Sequence, residues 1–188
     1  LRAVPAVLTW ISTLLACESG QAVLTGESLT VDPCGDGKPR TWQPFRMEMD
    51  RLSWNRPTSD VGILTLQRGF RDPNRTDLVV LEIRDVEGLE ARVREQPGIE
   101  APLPEAGRLS LSMNETCPDG REPLETRTGR LRLESFDLSF GGRIAGTAWF
   151  DLEDTRQEEE AVPAGIGMRL DFAVDLTEKD PRTGEGRR

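Results

Sequence analysis

Between Ile166 and Leu176 every second residue is apolar. Ile166, Met168, Leu170, Phe172, Val174 and Leu176 alternate with Gly167, Arg169, Asp171, Ala173 and Asp175. Only a period of two places such a set on one side of the backbone; a helix would scatter it around its circumference. The segment is therefore predicted to be a strand with one buried and one wet face, as in an antiparallel sheet. Its expected partner is Arg143–Leu152, where Ile144, Gly146, Ala148, Phe150 and Leu152 share a face. Arg169, Asp171 and Asp175 are expected to meet water or an ion-pair partner.

The rest of the body repeats this pattern more weakly. A first strand is expected within Ala22–Val31. Phe45, Met47 and Met49 alternate with charged residues, then Leu52 and Trp54 continue in the opposite phase. That slip predicts a bulge near Asp50–Arg51. Further strands are expected at Val61–Gln67 and at Leu78–Ile83, the latter a β-branched run suited to a central position. Leu109, Leu111 and Met113 mark another, and so does the stretch from Leu131 to Phe140, whose phase changes once. Gly141-Gly142 reads as a two-residue hairpin loop. Val86, Leu89 and Val93 recur at helical spacing behind Asp85, a candidate N-cap. Residues Gln96–Gly107, with three prolines, read as loop. The fold class is all-β, an antiparallel β-sandwich or barrel-like domain of about eight strands with at most one short helix.

Composition narrows the function classes. The chain has 33 Asp plus Glu against 24 Lys plus Arg, a formal net charge of −9. Nucleic-acid binding needs a basic face, so no nucleic-acid partner is expected. There is no His in the 188 residues. That excludes His metal ligands and every Ser-His or Cys-His catalytic arrangement. Lys38 and Lys179 are the only lysines; an arginine bias spread over the whole chain reads as genomic composition rather than as a site.

The first 16 residues read as an address. Arg2 precedes an uncharged, mostly apolar run, too short to span a bilayer and of the length of a signal-peptide core. The run ends in Leu14-Leu15-Ala16-Cys17. This resembles the lipobox of bacterial lipoproteins. The resemblance implies a signal-peptide helix over 1–16, cleavage after Ala16, palmitate-type acylation of Cys17, and a membrane partner through that lipid anchor. Glu18 after the cysteine favours the outer membrane of a bacterial envelope. The implied organisation is a lipidated tether at 17–21, one β-domain at 22–176 and a flexible tail at 177–188. With Cys17 acylated, Cys34 and Cys117 remain as an even pair in an oxidising compartment. A disulfide between them would be worth about 4.5 kcal/mol in the chain-entropy model. Two free thiols are the alternative; a metal pair has no His or nearby third Cys to complete tetrahedral ligation.

Candidate sites in the body are few. Glu153–Glu160 is the most acidic stretch, but its spacing matches no EF-hand loop and reads as a solvated charge run, so no metal site and no cofactor are expected. Trp42, Trp54 and Trp149 are candidate sugar-stacking residues. Trp149 stands out because it lies in the opposite phase from Ala148 and Phe150 and should point away from the core. Segments such as Arg108–Met113 with Cys117-Pro118, Gly129–Phe140, Gly146-Thr147-Ala148 and Leu170-Asp171-Phe172 make the body similar to uncharacterised lipoproteins of high-GC Gram-negative bacteria, which implies an all-β body and assigns no site residues. The reading that follows is a non-catalytic, envelope-anchored lipoprotein with a structural or ligand-binding role. The alternatives are a carbohydrate-binding module using exposed Trp and a hydrolase with a carboxylate pair. A coplanar exposed aromatic pair would favour the first alternative, and a cleft with two facing carboxylates the second.

Overall fold

The computed structural model describes residues 19–29, 42–69, 72–116, 123–154 and 162–176, with backbone alone at 19, 27–29, 42–43 and 162. Cys17, Cys34 and Cys117, the segments 1–16 and 177–188 and most of the acidic stretch lie outside the described residues. Ten strands form one antiparallel sheet: β1 (Ser19–Leu29), β2 (Trp42–Met49), β3 (Arg51–Asn55), β4 (Val61–Gln67), β5 (Asp77–Arg84), β6 (Ile99–Leu103), β7 (Gly107–Met113), β8 (Leu124–Phe136), β9 (Arg143–Asp154) and β10 (Val162–Asp175). The helix α1 (Val86–Glu95) separates β5 from β6.

The pairing order is β2-β1-β10-β9-β8-β7-β5-β4-β3, with β6 paired to β8. The two ends of that path, β2 and β3, follow one another in the chain with only Asp50 between them. The sheet is therefore a nearly closed barrel rather than a sandwich. The slip expected near Asp50–Arg51 is the corner that closes it: up to Met49 the chain pairs with β1, and from Arg51 it pairs with β4. Asp50 is held there twice, its N–H donating to the Gln67 carbonyl and its carboxylate accepting from the Gly69 N–H. β6 and β7 make a second bent strand. They run in line along one edge of β8, at Gly129–Leu133 and then at Leu124–Glu125. Counting each bent pair once gives the eight strands the periodicity implies.

The interior is packed with side chains, as expected of a small eight-stranded barrel. Leu24, Leu64, Leu66, Leu81, Ile83, Leu109, Leu131, Ile144 and Leu170 have essentially no exposed surface. Val86, Leu89 and Val93 of α1 are buried in the same core, in keeping with their helical spacing. Asp85 does not cap α1 with its side chain: it takes a left-handed conformation (φ 52°), and its carboxylate instead accepts from Arg92 at 3.3 Å. The strand register puts the start of β1, α1, the 56–60 turn and the β8–β9 loop at one end of the barrel. The C-terminal ends of β1, β4, β7 and β9 and the starts of β2, β5, β8 and β10 lie at the other. At that second end the buried carboxylate of Asp77 accepts from the Glu115 and Thr116 N–H groups at 3.0 and 3.1 Å and from the Thr116 hydroxyl at 2.5 Å.

Four expectations need correction. Residues 96–107 are not all loop: Ile99–Leu103 forms β6, because its pairing to the outer edge of β8 tolerates Pro102 on an edge. The β8–β9 connection is not a two-residue hairpin. β8 stops at Phe136, and Asp137 builds a longer turn by accepting from the Ser139 N–H and hydroxyl at 3.0 and 2.6 Å. Phe140 is consequently exposed rather than part of a strand. Ile166 is also exposed, at 47 %, although it keeps the parity of Met168. The register slips between Gly165 and Met168, which inverts the facing on its N-terminal side. Finally, β1 begins at Ser19, so residues 19–21 are strand rather than tether. From Met168 onward the expected facing is observed: Met168, Leu170, Phe172 and Val174 are buried, Arg169 pairs with Asp171, and Arg143 with Asp175.

Candidate functional site

Alternation in β9 turns Ala148 and Phe150 into the core, so Trp149 between them points outward. The register then fixes its neighbours. Arg130 of β8 is directly opposite Trp149 on one side and Arg169 of β10 on the other. Their guanidinium carbons lie 4.8 and 5.9 Å from the centre of the indole ring, within cation–π range. The two arginines differ in how they are held. Arg169 makes a two-pronged contact with Asp171, Nε to Oδ2 at 2.8 Å and Nη2 to Oδ1 at 2.9 Å, and Asp171 also accepts from the Thr147 hydroxyl at 2.8 Å. The ion-pair contact of Arg130 is with Glu100 at 3.9 Å, beyond hydrogen-bond reach.

Partial burial pushes the Asp171 carboxyl up. The hydrogen bonds from Arg169 and Thr147, with the Arg169 charge, outweigh that and hold it below its ordinary value. The same contact raises Arg169.

Beside Trp149 the surface opens into a depression of about 410 Å³. Thr128, Gly129, Arg130, Trp149, Asp151 and Gly167 line it, with Phe150 and Met168 beneath. It forms where both neighbours of β9 slip register, β8 between Thr126 and Thr128 and β10 between Gly165 and Met168. Bulges bend a strand and re-aim its side chains. Two glycines are required here. A Cβ on Gly129 would sit 2.5 Å from the Trp149 carbonyl oxygen and 2.8 Å from Phe150 Cβ. Gly167 has φ +61°, and its N–H donates to Asp151 Oδ1 at 2.9 Å. The other Asp151 oxygen faces the Thr128 hydroxyl at 3.5 Å.

The three tryptophans singled out by the sequence do not converge. Trp54 is half-buried against the core, edge-on to Phe136 with ring centres 5.7 Å apart, over a space left by Gly62. Trp42 lies in β2, its side chain outside the described residues. Trp149 alone of the two described indoles borders an open depression. Sequence reasoning missed Arg130, Arg169, Thr128 and Asp151. Their signal is the pairing register, which no single strand carries. Among the described residues no group of three or more Cys, Asp or Glu side chains is placed to hold a metal ion. No helix of the described residues is long and apolar enough to cross a membrane. No protein-family profile, curated protein or solved structure matches the chain.

Proposed function

We propose that this chain is a bacterial envelope lipoprotein, acylated at Cys17 and held at the outer membrane, whose barrel is a non-catalytic body. The observation that carries the reading is the join between address and fold. Leu14-Leu15-Ala16-Cys17 ends two residues before Ser19, where β1 begins and pairs with the end of β10. A lipid on Cys17 would thus be attached directly at the α1 end of the barrel. Several acyl chains at about 0.8 kcal/mol per buried methylene make such attachment durable. Support for the Cys34–Cys117 bridge is topological: the strand ends that flank the two cysteines, at Leu29 and Trp42 and at Met113 and Leu124, lie at the same end of the barrel. Mass spectrometry of the native N-terminus tests the reading. An acylated Cys17 is expected, and an unmodified chain retaining Leu1–Ala16 would refute it.

A second reading concerns what the body does. It is a carbohydrate-binding role. Trp54 and Trp149, the two described indoles, form no coplanar exposed pair, so this reading rests on the outward indole of Trp149 alone, which borders an open depression within the range of about 300–1,000 Å³ usual for small-ligand sites. Asp151 and Thr128 supply the hydrogen-bonding groups such a ligand needs. Titration of the protein with soluble oligosaccharides, followed by indole fluorescence, tests it. Binding that survives Trp149→Ala would place the ligand elsewhere.

A further inference from the structure

We infer that the depression beside Trp149 takes an acidic sugar, a uronate-type residue whose carboxylate docks on the Arg130 guanidinium. The inference rests on the carbohydrate-binding reading and names its ligand class.

Neutral sugars stack their C–H faces on a bare aromatic ring. The Trp149 ring is not bare: Arg130 lies over it at 4.8 Å, so an incoming ligand meets a charged plate. Of the two flanking cations, Arg169 already spends its fork on Asp171. Arg130 is the available one: its side chain is 57 % exposed and its ion-pair contact with Glu100 is long. A guanidinium is planar, permanently charged, and matched in spacing to the two oxygens of a carboxylate. Stacking on the indole holds that plate in place before a ligand arrives, which lowers the ordering cost of binding.

Away from Arg130, the depression presents an acceptor for hydroxyls. Asp151 has one oxygen fixed by the Gly167 N–H, and its other oxygen faces the depression edge near the Thr128 hydroxyl. That oxygen is an acceptor for a sugar hydroxyl. Gly167, where a Cβ would meet no protein atom, leaves the backbone open to a ring at the depression. One carboxylate for Arg130 and hydroxyls for Asp151 together describe a uronate.

The test is calorimetric titration of the full chain in detergent micelles with tetragalacturonate and with its fully methyl-esterified form, which keeps the sugar and removes the charge. Binding of the acid form alone is expected, weakening as salt rises. Arg130→Gln should reduce affinity about tenfold or more, and Arg130→Lys should restore it only in part. Arg132→Gln, on the same outward row but paired with Glu134 at 2.8 Å and outside the depression, should leave it unchanged. Circular dichroism of each variant confirms that it is folded. Equal binding of both oligosaccharides would overturn the anionic assignment and leave the carbohydrate reading standing. Binding of neither would overturn both. Acid-selective binding that ignores Arg130→Gln would overturn the site.

Discussion

Two walls of the barrel are built to different rules. Around β3, β4 and β5 the strands are five to eight residues long and pair without any register slip. Around β8, β9 and β10 they are 12 to 14 residues long, and each pairing slips twice. A short strand can follow a barrel's curve with its natural twist. A long one must be bent, and each bend adds an unpaired residue, a glycine or a re-aimed side chain. The regular wall thus contributes core and little else, while the bent wall acquires a depression, an outward indole and two cations beside it. The surface feature with binding chemistry follows from strand length.

Inside, the two walls should be indistinguishable, and that is where the largest effects lie. Phe172→Ala in the bent wall should cost about 3–5 kcal/mol and Leu81→Ala in the regular wall about 2–5 kcal/mol, since both side chains are buried. Urea midpoints would show it. A Phe172→Ala cost below 1 kcal/mol would mean that the bent wall is loosely packed. Outside, the walls should part. Gly129→Val would force a side chain into the β9 backbone and is expected to cost about 1–3 kcal/mol and shift the Trp149 emission. Thr65→Val, on the outward face of the regular wall, should stay within about 0.5 kcal/mol. Similar thermal midpoints for these two variants would erase the contrast.

The ion pair beside Trp149 gives a smaller, pH-dependent effect. The folded state holds Asp171 below its ordinary value of 3.8, so its contribution is present above that pH and is lost as pH falls through the lower folded value. Both partners are about half exposed, so solvent screening keeps the contribution of the pair small. Asp171→Asn should therefore differ slightly from wild type at pH 7 and converge with it in acid. A difference that grows on acidification would reverse the sign. Smallest of all, Ala173→Ser, outward on β10, should cost under about 1 kcal/mol; a midpoint shift as large as that of Phe172→Ala would invert the register of β10.

The contrast also marks how far the sequence could be read. Strands and their facing were legible wherever apolar parity held, and two bends were legible because parity flipped there: at Asp50, and between Leu133 and Phe136. The bend at Gly165–Met168 was hidden, because Ile166 is apolar and in phase yet faces out. β6 was masked by prolines that an edge strand tolerates. Trp149 could be picked from its phase alone. Arg130, Arg169 and Asp151 could not, because their proximity is a property of three strands in register, and register is set by where the bends fall.

The order of pairing has a consequence for how the chain assembles. Among the described residues every strand lies beside its successor in the sequence, the bent pairs counted once, and only the seam between β1 and β10 joins distant segments. Such a sheet can grow hairpin by hairpin, with one expensive loop to close at the end. Because Ser19 stands directly opposite Asp175, the ring has no structural beginning. A circular permutant that links 176 to 19 through a short spacer and opens the chain in the 56–60 turn would keep every pairing. Its slow step would move from the β1–β10 seam to the contact between β3 and β4.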